Sequence, residues 1–203
     1  MLTVALPKGR IAEETLGLFE KLFNQPFEFE NRKLILEQAG FRFLLVRNQD
    51  VPTYVRHGAA DLGVCGKDVL LESGANITQL LDLGIGRCRV VLGMRKGERL
   101  DPDRPHIKVG TKMVEITKHY FAQRAMAVEI VKLYGSIELA PLVDLCDAVV
   151  DIVETGTTMK ENGLEPVETI LESTARLFAN PNSYIEHKAA ILALRDQMEG
   201  LLG

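Results

Sequence analysis

The sequence predicts an α/β protein built from two lobes. Short apolar segments typical of buried strands alternate with segments of helical periodicity along the chain. Glycine-containing loops follow several of these strands. Residues 58–64 and 145–150 are alike, because each places a carboxylate just before a buried strand that follows a short helix. This alternation predicts a mainly parallel sheet in each lobe, with a ligand cleft between the lobes at the carboxyl ends of the strands.

The first lobe is expected to comprise residues 1–86 and a returning segment, residues 179–203, and the second lobe residues 87–178. In the first lobe, apolar runs predict strands and helical spacing of apolar residues predicts helices. The predicted strands are residues 4–6, 41–46 and 61–65, and the predicted helices are residues 11–23, 50–58 and 67–74. Asp50 and the early Pro52 are typical of a helix start, and Gly74 is typical of a helix end.

The second lobe continues the alternation around a polar interruption. Residues 96–106 contain Pro102 and Pro105 and show no apolar periodicity, which predicts an exposed loop. An extended stretch at residues 80–83 ends the first segment of the first lobe. In the second lobe, an extended stretch is predicted at 88–94, strands at 107–109, 128–133 and 147–153, a helix at 114–124 and a short helix after Gly135-Ser136. Residues 183–202 predict a terminal amphipathic helix that packs back on the first lobe. Its apolar positions are Ile185, Ala189, Leu192, Leu194, Met198 and Leu201.

Composition and charge exclude several functional classes. With 24 Lys and Arg against 28 Asp and Glu, the net charge of -4 gives no support to nucleic-acid binding or to attraction by an anionic membrane. The three cysteines show no metal-ligand spacing, and no export or membrane-spanning segment is recognisable, so a cytoplasmic protein is expected. The four histidines show no zinc motif and no nucleophile elbow, and no catalytic role is assigned to them.

The segment from Asp151 to Thr158 is the strongest candidate for a ligand site. It joins the end of a buried strand to a helical turn through a glycine-containing loop. Backbone N–H groups, threonine hydroxyls and the positive end of a helix dipole favour a phosphate there, and a glycine lets the backbone approach it closely. Asp151 and Glu154 are candidates for binding ribose hydroxyls. An ordinary threonine-rich helix start is the alternative. The loop residues are Thr155, Gly156, Thr157 and Thr158.

Basic residues cluster near the first predicted strand. Pro7-Lys8-Gly9-Arg10 follows that strand and offers two cations and a glycine, a combination that suits a pyrophosphate. Arg32, in Arg32-Lys33, can direct a second guanidinium at the same anion. The alternatives are a solvated turn for the first motif and a surface ion pair with Glu30 for the second.

A third candidate site is the turn after the strand predicted at residues 128–133. Tyr134 and Gly135 end the strand, and Ser136 is predicted as the N-cap of the following short helix. A nucleotide can lie against such a turn. Glu138 is part of the candidate site, although it can equally complement the helix dipole.

Five motifs, in this order, resemble those of the ATP phosphoribosyltransferase family in its short form. They are Pro7-Lys8-Gly9-Arg10, Asn31-Arg32-Lys33-Leu34, Ala60-Asp61-Leu62-Gly63-Val64, the segment from Lys132 to Glu138 and the segment from Asp151 to Thr158. The resemblance covers essentially the whole chain. It implies two lobes with a periplasmic-binding-protein type II-like fold, without the C-terminal regulatory domain of the long form. It also implies transfer of the phosphoribosyl group of phosphoribosyl pyrophosphate (PRPP) to N1 of ATP, which releases pyrophosphate in the first step of histidine biosynthesis.

The resemblance further implies a cofactor, a partner and roles for individual residues. Mg²⁺ is expected, held mainly by substrate and water rather than by a protein cage. A histidyl-tRNA-synthetase-like regulatory subunit is expected in a hetero-oligomer that carries feedback inhibition by histidine. Arg10 and Arg32 match the family's arginines at the pyrophosphate, and Lys8 would assist them. Residues 154–158 would hold the 5'-phosphate of the donor, and residues 134–138 would contact ATP.

Two other functions share parts of this pattern. Salvage phosphoribosyltransferases carry a similar loop, but usually with two adjacent acids and a small residue where Glu154 stands, and Val150 breaks the acid pair here. A non-catalytic solute-binding module could use the same two-lobed fold. The Thr-Gly-Thr-Thr loop and the lack of a recognisable export signal argue against it.

Overall fold

The computed structural model describes all residues, 1–203, and divides them into two compact units. The first unit comprises Met1–Arg87 and Thr174–Gly203, and the second comprises Cys88–Ser173. The chain returns to the first unit after Ser173, five residues earlier than the sequence prediction placed it. The reason is strand β11, Ala175–Ala179, which pairs within the first sheet and was not among the predicted strands.

The secondary structure alternates as the sequence predicts, with additional strands. The first segment of the first unit contains β1 Leu2–Pro7, α1 Arg10–Phe23, β2 Ile35–Gln38, β3 Phe41–Val46, a 3-10 helix Asn48–Asp50, α2 Val51–Arg56, β4 Leu62–Gly66, α3 Lys67–Ser73 and β5 Thr78–Asp82. The second unit contains β6 Cys88–Arg95, β7 Lys108–Thr111, α4 Val114–Gln123, β8 Glu129–Lys132, α5 Leu139–Leu142, β9 Ala148–Val153, α6 Thr157–Glu161 and β10 Leu164–Ser173. The chain ends with β11 Ala175–Ala179, α7 Pro181–Glu186 and α8 Lys188–Leu202.

Each unit contains one mixed sheet. The first has the strand order β2-β3-β1-β4-β11-β5, in which only the β3-β1 and β1-β4 pairs are parallel. The second has the order β10-β6-β9-β7-β8, in which only the β9-β7 and β7-β8 pairs are parallel. The prediction of mainly parallel sheets is therefore wrong. The α/β alternation generates three parallel strands in each unit, and antiparallel strands such as β11 and β6 widen each sheet beyond these three.

The two sheets share one plan. The parallel trio β3-β1-β4 of the first unit corresponds to β8-β7-β9 of the second, and an antiparallel strand follows in each, β11 or β6. Asp61, just before β4, accepts a hydrogen bond from the backbone N–H of Thr3 at 2.8 Å, and Asp147, just before β9, accepts one from the N–H of Lys108 at 2.8 Å. These are the two carboxylates that the sequence comparison of residues 58–64 with 145–150 singled out.

Helices cover both faces of each sheet. In the first unit, α1 and α8 enclose one apolar cluster and α2 and α3 the other. In the second, α4 covers one face, and Ile137 and Met159 pack on the other. Phe19 of α1 is fully buried and contacts Phe41 and Phe43 edge-on, with ring centroids 5.1 and 4.9 Å apart, which fixes α1 against the start of β3.

The predicted terminal helix is two helices in the structure. His187 separates α7 from α8, and the side chains that α8 buries are Ile191, Leu194 and Met198. Ile185 is 74% exposed and Leu201 41% exposed, and Ala189 is exposed as well, so the prediction that these three residues pack against the first lobe is wrong. No helix combines the length and the apolar character that a membrane span requires.

Two helix ends test the predicted capping residues. Gly74 takes the left-handed conformation at the end of α3, φ 55°, as the sequence predicts. Pro52 lies in the first turn of α2, but the Asp50 side chain makes no capping hydrogen bond. Asp50 instead closes the preceding 3-10 helix, so its backbone is already helical.

Candidate active site

The parallel strands place the candidate residues at the carboxyl edges of the two sheets. In the first unit, β1 and β3 run in register from Leu2 and Phe41 to Pro7 and Val46, so the segments after them emerge side by side. The backbone N–H of Lys8 donates to the carbonyl of Val46 at 3.0 Å. The turn after β1 and the residue after β3, Arg47, are therefore neighbours along this edge.

The turn Lys8-Gly9-Arg10 is shaped by Gly9. Its φ of 98° lies in the region that favours glycine, and its carbonyl accepts from the N–H of Ala12 at 2.9 Å in the first turn of α1. Lys8 and Arg10 are exposed. The Nε of Arg10 lies 3.4 Å from Glu14 Oε1 one helical turn later, a solvent-accessible pair that an arriving anion can replace.

Arg32 and Lys33 behave differently. The ammonium of Lys33 binds Glu30 at 2.6 Å, so the predicted alternative, a surface ion pair, holds for Lys33. The hydrogen bond and the charge of Lys33 hold the pKa of the Glu30 carboxyl below its usual value. Arg32 is exposed and makes no ion pair. Its guanidinium thus keeps its donors available for a ligand.

A cavity of about 830 Å³ brings part of the predicted cation cluster together. Lys8, Gly9 and Arg32 line it, and Leu16, Phe27 and Phe29 supply apolar walls. Arg10 is not among its lining residues. In the first unit Lys8 and Arg32 therefore line the same cavity, whereas Arg10 is not part of its lining and pairs with Glu14.

In the second unit, β9 leads into the predicted phosphate loop. Gly156 adopts φ 79° immediately before α6, and a Cβ built on it would meet no atom within 4 Å. The hydroxyls of Thr155 and Thr157 lie 2.9 Å apart, and the N–H of Thr157 points to Thr155 Oγ1 at 3.4 Å. Thr155, Thr157 and Thr158 are exposed. The loop thus presents threonine hydroxyls to solvent and contains one weakly bonded N–H group, that of Thr157.

The contribution expected from a helix dipole is small here. Helix α6 has only five residues, from Thr157 to Glu161, and it ends before Gly163. A dipole needs several aligned peptide units, so a helix of this length supplies little beyond its first N–H groups. The anion-binding capacity of the loop rests on local donors and on the left-handed turn at Gly156.

Asp151 is less accessible than the sequence prediction requires. It is 8% exposed, and its Oδ1 accepts from the N–H of Ile152 at 2.8 Å and lies 3.2 Å from the Nζ of Lys112. Glu154, at the start of the loop, is exposed. Of the two acids predicted to bind ribose, Glu154 faces solvent and Asp151 is held by a lysine.

The predicted nucleotide turn also lies at this edge, but with a different local geometry. Tyr134 is 87% exposed, and Lys132 Nζ lies 5.5 Å from the centre of its ring. Ser136 has a left-handed φ of 48°, and Glu138 is the residue that immediately precedes α5. The prediction that Ser136 is the N-cap is therefore wrong, because the chain makes one more turn before the helix starts.

Three basic residues at these edges escaped the sequence prediction. Lys112 directly follows β7, the central strand of the parallel trio, and so lies between the loop after β9 and the turn after β8. Arg89, at the start of β6, pairs in register with Val153, the last residue of β9. Arg47 follows β3. A basic residue after each predicted strand was the available signal for Lys112 and Arg47, whereas Arg89 begins a strand.

The side chains do not form a ready-made metal site. No group of three or more His, Cys, Asp or Glu side chains is placed to hold a metal ion. A hard cation such as Mg²⁺ prefers oxygen ligands and usually retains water and substrate phosphates. The residues present fit an ion that arrives with its phosphate ligands rather than one held in a protein cage.

The chain closely matches known proteins over its whole length. The profile described as HisG, ATP phosphoribosyltransferase, matches residues 47–200. An ATP phosphoribosyltransferase of Sulfurovum sp. is 59% identical over 202 residues, which cover 100% of this chain and 98% of that protein.

Solved structures with a similar fold include a member of the same family and a protein that shares only the fold. The ATP phosphoribosyl transferase (HisG:HisZ) complex of Thermotoga maritima contains a chain that is 34% identical, with a TM-score of 0.86 and coverage of 100% of this chain and 98% of that one. The periplasmic aliphatic sulphonate binding protein SsuA of Escherichia coli shares the fold alone, at 13% identity and a TM-score of 0.60, covering 97% of this chain and 67% of that one. The predicted α/β, periplasmic-binding-protein type II-like fold is thereby confirmed, and the chain belongs to the ATP phosphoribosyltransferase family.

Proposed function

We propose that this chain transfers the phosphoribosyl group of PRPP to N1 of ATP, which yields N1-(5-phosphoribosyl)-ATP and pyrophosphate in the first step of histidine biosynthesis. The observation that carries the proposal is the Thr155-Gly156-Thr157 turn at the carboxyl end of β9, whose two threonines are exposed, in a chain with full-length family similarity. The turn offers hydroxyl and N–H donors to the 5'-phosphate of the donor substrate. Glu154 is the accessible acid for the ribose hydroxyls.

The difficult step in this reaction is the departure of pyrophosphate. Adenine N1 already has a free lone pair, whereas C1 of the ribose acquires positive charge as the bond to pyrophosphate breaks. Lys8 and Arg32 line one cavity of the first unit, and Arg10 follows in the same turn as Lys8. We assign pyrophosphate to these cations, because guanidinium donors stabilise negative charge more strongly in the transition state than in the bound substrate.

We assign the acceptor to the turn after β8. Tyr134 exposes a full aromatic face, on which a purine can stack, and Gly135 and Ser136 expose their backbone beside it. Glu138 lies at the start of α5. Because β8 and β9 flank β7 in parallel, the turn and the phosphate loop emerge at the same edge of one sheet.

Mg²⁺ and a regulatory subunit complete the proposal. When bound, the ion would neutralise pyrophosphate oxygens, and no protein cage is needed for that role. A histidyl-tRNA-synthetase-like subunit is proposed because the Thermotoga maritima chain occurs in a HisG:HisZ complex. We also propose a cytoplasmic location, which suits the three free cysteines.

The test is an acceptor-specific assay. The chain is incubated with PRPP, Mg²⁺ and either ATP or free purine and pyrimidine bases, with and without the regulatory subunit, and release of pyrophosphate is followed. Release that depends on ATP supports the proposal. Release of pyrophosphate with a free base but not with ATP would show a salvage enzyme. PRPP binding without release of pyrophosphate under any of these conditions would show a binding protein.

A further inference from the structure

Lys112 and Asp151 form an ion pair at the centre of the second sheet's carboxyl edge. Lys112 Nζ lies 3.2 Å from Asp151 Oδ1, and the side chain of Asp151 is 11% accessible against 37% for Lys112. Removal of a carboxylate from water is costly unless a counter-charge accompanies it. Lys112 supplies that charge from the neighbouring strand, since β7 and β9 pair in parallel up to Thr111 and Val150.

The pair lies on the same sheet face as the phosphate loop. Val149, Asp151 and Val153 alternate with Val150 and Ile152 along β9, and Val149 and Val153 pack in one cluster with Met159 of α6. Asp151 therefore projects to the side that α6 covers, three residues before the loop begins. A donor phosphate bound at Thr155–Thr158 comes close to the buried carboxylate of Asp151, and two negative charges that lie close together repel each other.

We propose that Lys112 is a positioning residue of the donor site. Its ammonium compensates the charge of the Asp151 carboxylate, so that the carboxylate and the 5'-phosphate can occupy neighbouring positions. The inference rests on the proposed function. The first unit offers a parallel: Lys8 follows the central parallel strand β1 just as Lys112 follows β7, and each lysine precedes a long helix, α1 or α4. Each unit thus directs one lysine at the centre of its carboxyl edge.

If Lys112 acts by compensating the charge of Asp151, the affinities of the variants follow a pattern that a purely structural ion pair would not produce. Lys112→Met leaves an uncompensated carboxylate that repels the phosphate, whereas Asp151→Asn leaves an uncompensated ammonium that attracts it. The double variant carries neither charge and again has a neutral pair. One unit charge within about 8 Å, at an effective dielectric constant near 20, changes affinity by roughly tenfold or more.

The experiment is a calorimetric titration of the full-length chain with ribose 5-phosphate, with pyrophosphate as a second probe. We expect Lys112→Met to weaken ribose 5-phosphate by about tenfold or more, Lys112→Arg to bind near the wild-type affinity, and Lys112→Met with Asp151→Asn to recover most of the loss. Pyrophosphate affinity should stay within about twofold of wild type, since we assign it to other cations. Lys118→Met is the matched control, because Lys118 pairs with Glu115 at 2.8 Å on the solvent-exposed side of α4 in the same unit.

Unchanged affinity in a folded Lys112→Met variant, or a double variant as weak as Lys112→Met, overturns the inference. If Lys112→Met does not fold, the comparison moves to the Asp151→Asn background. There, removal of Lys112 must still weaken ribose 5-phosphate, and equal affinities with and without Lys112 overturn the inference. A wild-type chain that binds no ribose 5-phosphate contradicts the proposed function itself, whereas wild-type binding with an unaffected Lys112→Met variant contradicts only the role of Lys112.

Discussion

The carboxylate of Asp61 accepts a hydrogen bond from the backbone N–H of Thr3 at 2.8 Å, so the start of β4 is tied to the start of β1. The same carboxylate accepts from the hydroxyl of Ser183, in α7, at 2.7 Å. One side chain thus joins two parallel strands and the returning C-terminal segment. Asp147 repeats the strand-to-strand contact in the second unit.

Loss of this carboxylate is expected to destabilise the first unit. Asp61→Ala leaves the N–H of Thr3 and the hydroxyl of Ser183 without their acceptor, and unsatisfied partly buried groups cost about 1–3 kcal/mol. The urea midpoint of unfolding should fall accordingly. Asp196→Ala, which removes an exposed carboxylate paired with the adjacent Arg195, is the control and should leave the midpoint nearly unchanged. Equal midpoints for the two variants would contradict the expected role of Asp61.

Arg32→Ala is expected to impair catalysis without disturbing the fold. Arg32 is exposed, makes no ion pair and shares a cavity with Lys8. Loss of a donor that strengthens in the transition state lowers kcat by on the order of 10²-fold. Steady-state kinetics of the enzyme with its regulatory subunit measure this directly. Arg195→Ala is the matched control, since that arginine pairs with its neighbour Asp196 on α8. A kcat for Arg32→Ala equal to that of the control would remove Arg32 from the mechanism.

Gly156→Val is expected to abolish PRPP binding through the backbone as well as through the added side chain. At φ 79° a β-branched residue is strained, and its Cβ would enter a space that no protein atom within 4 Å occupies, where the phosphate should lie. Gly163→Val is the matched control. Gly163 lies just beyond the other end of α6, with φ 72° and the same open surroundings. Calorimetry should show PRPP binding by a folded Gly163→Val chain and none by Gly156→Val, and undiminished binding by Gly156→Val would refute the phosphate cradle.

Asp82 is expected to make stability depend on pH in the acid range. Partial burial raises the pKa of this carboxyl, but hydrogen bonds from Thr174 and from the N–H of Gly84, together with the charge of Arg176, outweigh burial and hold the pKa below its usual value. A carboxyl with a lowered pKa stabilises the folded state at pH values above its unfolded pKa, and this contribution is lost as the pH falls through the folded pKa.

The measurement is the Tm of the wild type and of Asp82→Asn from about pH 3 to pH 7. The wild type should exceed the variant in Tm by a constant amount near neutrality, and the difference should shrink toward the acid end. A difference that stays constant, or grows, as the pH falls would show that the charge of Asp82 does not contribute in this way.

Local sequence signals predicted most elements whose pattern is complete within a few residues. β1 is an apolar run that ends at a proline and a glycine, α1 has apolar residues at helical spacing, and Gly74 ends α3 in the conformation that glycine favours. The strands β10 and β11 escaped because their identity depends on distant partners. β10 contains Pro166 and several glutamates, which are poor strand formers, and it is held by antiparallel pairing to β6.

In the candidate site, too, local features could be predicted from the sequence, whereas features that join distant residues could not. The glycine turns at Gly9 and Gly156 are local features that the sequence analysis identified, and in the structure both glycines have a positive φ. The ion pair of Asp151 with Lys112 joins residues 39 positions apart, through a strand pairing that no local pattern encodes. The same limit applies to the cavity that joins Lys8 to Arg32, because it depends on how the segment after α1 folds back over that helix.

The position of β11 has a consequence for biosynthesis. Residues 88–173 form a continuous unit whose sheet is complete once β10 has left the ribosome. The first sheet is different, because β11 separates β4 from β5 and is translated after the whole second unit. The first sheet therefore lacks an interior strand until residue 179 has been translated. The apolar face that α1 shares with α8 is only partly covered until Ile191, Leu194 and Met198 of α8 emerge. Translation of the first unit thus begins before that of the second unit, and the strands of its sheet are all available only after the second unit has been made.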